Sequence, residues 1–292
     1  MADRGSSYRV FRPEEWSDYV RVFFRTKLAA APHFMDFSDD VSGGGEMITI
    51  PHVAEGPTPT ALTTTTGVIT ENVISDTRTQ LTINSWVANA MRFTDYQMAQ
   101  IAAKYNLQAE YAKMMAYGVS KNFDTCLIQT VQSGLITRAV TSSITAISAT
   151  NIRDALQIID SYSVPQADCI MITHPKHYWS LMRNQQLYNA SVYGRGAPLA
   201  EGGMDRIFGI PVIITTNIPD TSTGLKPVSI IHKRAVAYAV GAIPGMGKSG
   251  PRLQYMKSSE GLYHKLIADL MFGVKILDST AGCKINKYTA NA

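Results

Sequence analysis

An α+β fold with a compact middle and long projections follows from three features of this 292-residue sequence. A helical stripe runs from Asp95 to Val131. Upstream of it, two alternating apolar runs flank an uncharged, threonine-rich stretch. Downstream of Gly134, short apolar clusters at strand and helix spacing follow one another.

The first element predicted is an amphipathic arm. Pro13 suits a first helical position, and Glu14 and Glu15 fall in the positive first turn. Trp16, Tyr19, Val20, Phe23, Phe24 and Leu28 then recur at helical spacing. Residues 46–95 read as β: Ile48, Ile50 and Val53 alternate outward, and Leu81, Ile83 and Val87 alternate on the return. A two-stranded arm of that length is marginal in water because it has no third layer to cover its apolar face. It must lie on something. From residue 95, with Asp95 as the N-cap, a stripe of Met98, Ile101, Ala102, Tyr105, Ala109, Ala112, Ala116, Val119, Phe123, Cys126, Leu127 and Val131 predicts one helix to residue 132. At 1.5 Å rise it would be about 57 Å long, too long for one compact core to cover. Beyond Gly134 the expected elements are a helix capped near Thr150 or Asn151, a buried strand over residues 169–172, and a helix opening at Pro175. Strands at 210–214 and 228–231 and extended runs at 252–256 and 263–285 complete the chain.

Composition narrows the function. Apolar residues make up 45%, enough for a sizeable core, while charged residues are only 17%, against roughly 25% in a typical soluble protein. A charge-poor surface is one that meets protein, since interface cores are depleted in charge. The formal net charge of +4, spread without a basic run, gives no polyanion site. Cys126, Cys169 and Cys283 are odd in number and set in apolar contexts, so they read as small hydrophobes in a reducing compartment. No apolar segment suits a secretory signal or a membrane span. A soluble protein made inside the cell is the expectation.

The most tempting chemical motif is Gly245-Met246-Gly247-Lys248-Ser249-Gly250, which fits GxGxxG with Asp269 about 20 residues on. A pyrophosphate site needs a helix N-terminus after the glycines, whereas Pro251, Leu253 and Tyr255 suggest an extended run. The same stretch misses a P-loop, because Ala242 stands where its first glycine belongs. It misses a nucleophile elbow, because Pro251 replaces the last glycine. His174 and His177, with Cys169 upstream, have no second pair at metal spacing. Neither a catalytic constellation, a cofactor site nor a metal site emerges. The different-class alternative is a nucleotide-binding enzyme that uses the loop from Gly245 to Gly250.

The order of elements resembles that of the Hong Kong 97-like major capsid proteins of tailed bacteriophages. The stretches that carry the resemblance are Glu46-Met-Ile-Thr-Ile-Pro51, Thr82-Ile-Asn-Ser-Trp86 and Met91-Arg-Phe-Thr-Asp-Tyr96. Further along, Phe208-Gly-Ile-Pro-Val-Ile-Ile-Thr215, Ile230-Ile-His-Lys-Arg-Ala-Val-Ala-Tyr238 and Leu266-Ile-Ala-Asp-Leu-Met-Phe-Gly-Val-Lys-Ile-Leu277 continue it. The resemblance covers nearly the whole chain and rests on element order more than on fixed residues. It implies an N-arm (1–45), an E-loop (46–95), a spine helix with peripheral domain (96–149), an axial domain (150–245) and closing strands that return to the peripheral domain (246–292).

The resemblance also implies an icosahedral shell of hexamers and pentamers around packaged double-stranded DNA, bound without sequence specificity. Such a shell is assembled in the host cytoplasm, carries a portal and in some cases cement proteins, and involves no membrane. An encapsulin-type nanocompartment has the same fold and is the nearer alternative. Residues 46–95 contain no lysine, so a cross-link through an E-loop lysine is not expected. The arm begins near Met1, so a scaffold would be a separate protein. Within 46–95, Glu46, Glu55, Glu71, Asp76 and Asp95 outnumber Arg78 and Arg92, giving −3 against +7 for the remainder. Glu55, Glu71, Asp76, Arg78 and Arg92 are therefore the candidate inter-subunit contacts, in a charge-complementary arrangement.

Overall fold

The structure, a computed structural model, describes residues 30–41, 46–53, 76–96, 107–140, 147–183, 205–219, 226–241, 251–257 and 261–287. The amphipathic N-terminal arm and the glycine-rich loop at 245–250 lie outside the described residues.

Two sheets and one long helix make the frame. The first sheet contains β1 (Met35–Asp36), β4 (Ser85–Thr94), β10 (Val236–Val240), β11 (Arg252–Lys257) and β12 (Tyr263–Ile276). The 14-residue β12 is its axis: β4 runs antiparallel along one edge, and β11 and then β10 share the other. The second sheet has the order β5 (Ile136–Val140), β13 (Gly282–Lys287), β9 (Val228–His232), β6 (Cys169–Thr173), β8 (Ile210–Ile214), β7 (Arg206–Ile207). β6 and β9 are buried at every position, β6 as its apolar run predicts and β9 with Ser229 and His232 buried among its apolar residues. Phe208 and Gly209 both have positive φ, 51° and 83°, and form the two-residue turn between β7 and β8.

The long helix α1 (Leu107–Gly134) has 28 residues, about 42 Å at 1.5 Å rise. Asp95 and Tyr96 are also helical, and residues 97–106 lie outside the described residues. The N-terminal half of α1 packs Met115 and Val119 on Leu266, Ala268, Leu270 and Phe272 of β12. Its C-terminal half packs Leu127, Ile128 and Val131 on Ile170, Ile172 and Ile231 of the second sheet. One helix thus bridges two cores. The second sheet's other face carries α2 (Ala149–Ser161) through Ile152, Ala155, Leu156 and Ile159. The expected cap of α2 is displaced: Ser148 is the N-cap, its side chain accepting from the Asn151 N–H, and Thr150 and Asn151 lie inside the helix. α3 (Pro175–Met182) opens at Pro175 as expected, with His174 as its N-cap.

The single run expected at 263–285 and the stretch 230–238 that carries the resemblance are each divided between the sheets. Residues 263–285 break at 277–281, where Asp278 Oδ1 accepts the Thr280 N–H at 2.8 Å. Residues 230–238 break at a short 3-10 turn, Lys233–Ala235, where His232 Nδ1 accepts the Arg234 N–H at 3.2 Å. The two breaks face each other: His232 N–H donates to Ala281 and Leu277 N–H to Ala235. A ladder of two antiparallel segments therefore passes through both sheets, bent at one place, and α1 lies across the bend.

Candidate functional site

The extended arm is a two-stranded hairpin of β2 (Met47–Val53) and β3 (Asp76–Thr82), in register from Met47↔Thr82 to Val53↔Asp76. Its root is anchored. Leu81 and Ile83 are buried with Val41, Ala237 and Ala239, and Ile48 and Ile50 pack partly against them. Beyond that root the alternation leaves Thr49, Pro51, His52, Thr77, Arg78 and Gln80 exposed. The returning limb does not continue into one long hairpin, because β4 leaves at Ile83-Asn84 and pairs with β12 instead. Gly273 permits this exit. A Cβ there would lie 2.2 Å from the Thr82 carbonyl oxygen.

Next to the root is the open face of the first sheet, on the side of β4, β12 and β11 away from α1. Cross-strand partners share a face, so its rows read off the register: Trp86 with Met271, Ala88 with Asp269 and Arg252, Ala90 with Ile267 and Gln254, Arg92 with Lys265 and Met256. Trp86 is 68% exposed and Met256 51%. The Trp86 ring is fixed through its Nε1–H, which donates to Asp269 Oδ2 at 3.2 Å. Asp269 is itself clamped by Arg252, whose Nε and Nη2 donate to its two oxygens at 2.9 and 2.7 Å. Those hydrogen bonds hold the Asp269 carboxyl below its ordinary value, against the burial that would raise it.

The five candidate contacts separate in the structure. Glu55 and Glu71 lie outside the described residues. Asp76 and Arg78 are on the hairpin, opposite Val53 and Pro51. Arg92 is on β4 in the first sheet, its guanidinium 5.0 Å above the Tyr263 ring, with the Lys265 ammonium 5.6 Å from the same ring. Arg92 and Lys265 are direct cross-strand partners of like charge. Sheet register, not sequence spacing, brings Lys265, Trp86, Arg252 and Asp269 to one face, so spacing alone does not group them.

The enzyme-like motifs meet a different setting. The chain after residue 250 enters strand β11, where a dinucleotide site would need a helix N-terminus, and Asp269 is engaged by Arg252 and Trp86. His174 Nδ1 accepts from the Lys176 N–H at the start of α3. Among the described residues no group of three or more His, Cys, Asp or Glu converges as a metal site. The three cysteines are unpaired with one another, and burial first, then Asp160 and Asp168, pushes the Cys169 thiol up to about 11. No described helix is long and apolar enough to cross a membrane.

No protein-family model matches the sequence, and no curated protein does. Solved structures do. A chain from Mycobacterium phage Che8 superposes with a TM-score of 0.79 at 19% identity, over 94% of this chain and 97% of that one. The capsid of cyanophage P-SCSP1u gives 0.77 at 17% identity, over 97% and 94%. The capsid of a native GTA particle gives 0.72 at 11% identity, over 98% of both. Together with the arm, spine and two sheets described above, these likenesses show that the chain has the Hong Kong 97-like capsid fold.

Proposed function

We propose that this chain is the major capsid protein of a tailed bacteriophage. It assembles as hexamers and pentamers into an icosahedral shell around double-stranded DNA, which it binds without sequence specificity. Assembly takes place in the host cytoplasm, with a separate scaffolding protein, a portal and in some cases cement proteins. Its role is structural and not enzymatic. The observation that carries this reading is the β2–β3 hairpin, anchored at its root and otherwise uncovered by any described element of its own chain. A two-stranded ribbon of that kind gains its third layer from another subunit. The solved structures similar in fold include phage capsids, and their phage sources favour a virion over an encapsulin-type compartment.

Electron microscopy of the expressed protein tests the reading. Uniform closed particles are expected, and a chain that stays a small oligomer at every concentration overturns it. Deletion of residues 56–67 should stop assembly while the second sheet and α2 stay folded, as read by circular dichroism. Particles that form normally without that segment would remove the arm from the assembly mechanism. Reversing the charges of Arg78 and Glu71 should impair assembly without unfolding the subunit, and normal shells from that variant would remove charge complementarity from the arm's contacts.

A further inference from the structure

Both strands that pass between the sheets turn at the same place, and one buried imidazole holds the turn. His232, at the end of β9, is 5% exposed. Its backbone N–H donates to the Ala281 carbonyl in the facing break at 2.9 Å. Its ring Nδ1 accepts the Arg234 N–H and so caps the Lys233–Ala235 turn. A ring nitrogen that accepts carries no hydrogen, so the hydrogen of the neutral ring belongs on Nε2. That nitrogen is buried with no hydrogen-bond partner. His232 therefore ties both breaks together while leaving one polar atom unsatisfied, a cost that calls for an explanation.

The surrounding elements bring few charges to the ring. Cys169 is its direct partner on β6, and Cys283 on β13 stands opposite Ile230, both 0% exposed. Asp160 at the end of α2 and Asp168 just before β6 act on the Cys169 thiol from exposed positions. The facing break adds Asp278, exposed and occupied by the Thr280 N–H and hydroxyl. The turn itself adds Lys233 and Arg234, both exposed. Among the described residues no carboxylate forms an ion pair with His232. Imidazoles take up a proton between about pH 8 and pH 5. Here the proton would enter at Nδ1, turn the acceptor of the Arg234 N–H into a donor, and place a charge in a buried site. We propose that His232 is an acid-sensitive latch on the angle between the two sheets. Its neutral ring holds the Lys233–Ala235 turn, and protonation releases that turn together with the facing break at 277–281. In the released state both ring N–H groups reach water, which removes the unsatisfied donor. The angle sets the shape that one copy presents to its neighbours, so a released subunit should not join a growing shell. Only that consequence rests on the shell reading.

Hydrogen-exchange mass spectrometry on dispersed full-length subunits tests it, at about pH 7.5 and about pH 5, with rates corrected for the intrinsic pH dependence of exchange. In the wild type, peptides covering 233–235 and 277–281 should lose protection by about tenfold or more at the lower pH, while β6 and the middle of β12 keep theirs. Asn offers an acceptor near the place of Nδ1 and does not titrate, so His232→Asn should hold the turn and change by less than about threefold between the two pH values. Gln reaches instead to the place of Nε2, so His232→Gln should show the released pattern already at about pH 7.5. Equal wild-type protection at both pH values overturns the proposal, and that comparison needs no variant to fold. A His232→Asn chain that loses as much protection as the wild type also overturns it, because another group would then carry the acid response. So does a loss spread evenly over β6 and β12, which would be loosening of the whole frame. Because the exchange is read in dispersed subunits, its outcome stands apart from the shell reading, and a chain that forms no particles would remove only the consequence for assembly.

Discussion

Asp269 is the clearest case of a single residue fixing the side chains of a sheet face. It is 1% exposed and ionised, and its oxygens are satisfied by Arg252 and by the indole of Trp86. Its carboxyl titrates below the roughly 3.9 of an unfolded chain. The folded state therefore binds the proton more weakly than the unfolded state. The stabilisation is fully present above about pH 4 and is lost as pH falls through the depressed folded value. Asp269→Asn should cost about 3 kcal/mol at pH 7, because it leaves the Arg252 guanidinium, only 19% exposed, without its counter-charge. Urea midpoints should show that cost shrinking between pH 7 and acid pH, because below about pH 4 the wild type progressively loses the same stabilisation. An equal deficit at both pH values would mean that packing, not charge, is what Asp269 supplies. Asp124 shows what sequence periodicity misses at this scale. Helical spacing keeps a carboxylate off the buried stripe, yet Asp124 is 2% exposed, accepting from the Ala30 N–H at 3.0 Å and from Asn217 Nδ2 at 2.8 Å. Its partners lie more than ninety positions away in sequence, so no local pattern marks it as the joint between α1, the segment at Ala30 and the strand-end at Asn217.

Elements with strong local patterns were legible, and those decided by exchange between sheets were not. The strand at 210–214 and the helix opening at Pro175 follow from apolar runs and a proline start. The α1 stripe was legible through Val119, Leu127 and Val131 but omitted Met115 and Ile128, both 1% exposed. The reason is physical: α1 packs on one sheet with its first half and on the other with its second, so the buried stripe changes partner partway along. The division at 277–281 had a readable signal in Asp278-Ser-Thr-Ala-Gly282, but a turn signal does not say that the chain changes sheet. The root of the arm depends on Gly273 in the same way, through a neighbour distant in sequence. Gly273→Ala would place a methyl group against the Thr82 carbonyl and within 3.1 Å of Ile83 Cα, all backbone, so the strand has to move. A loss of about 1–3 kcal/mol in thermal or urea melts is expected, together with fewer closed particles, since the arm would leave its root at a different angle. Wild-type melting and wild-type assembly by this variant would show that the arm tolerates displacement at its base.

Across the whole molecule, rigidity and exposure are divided between parts. The bent ladder of β9–β10 and β12–β13, crossed by α1, ties both sheets into one frame with cores on both sides of the second sheet. The β2–β3 hairpin has only its root in that frame. Local opening free energy follows buried apolar contact, so the two parts should differ sharply in amide exchange. In dispersed subunits the amides of Met47–Val53 and Asp76–Thr82 should exchange orders of magnitude faster than those of β6, β9 and the middle of β12. If the hairpin gains its third layer from a neighbouring copy, assembly should slow hairpin exchange by about a hundredfold or more, equivalent to roughly 2.7 kcal/mol of added opening free energy, and leave β6 and β9 nearly unchanged. Hydrogen-exchange mass spectrometry on dispersed and assembled protein reads both segments in one experiment, with β6 and β9 as the internal reference. Equal hairpin exchange in the two states would mean that the ribbon is seated on nothing in the shell, and the physical argument for assembly from an unsupported arm would fail. Protection that also rises in β6 and β9 would mean that the frame itself is loose before assembly, and that the bend at 233–235 and 277–281 is set only once neighbours are in place.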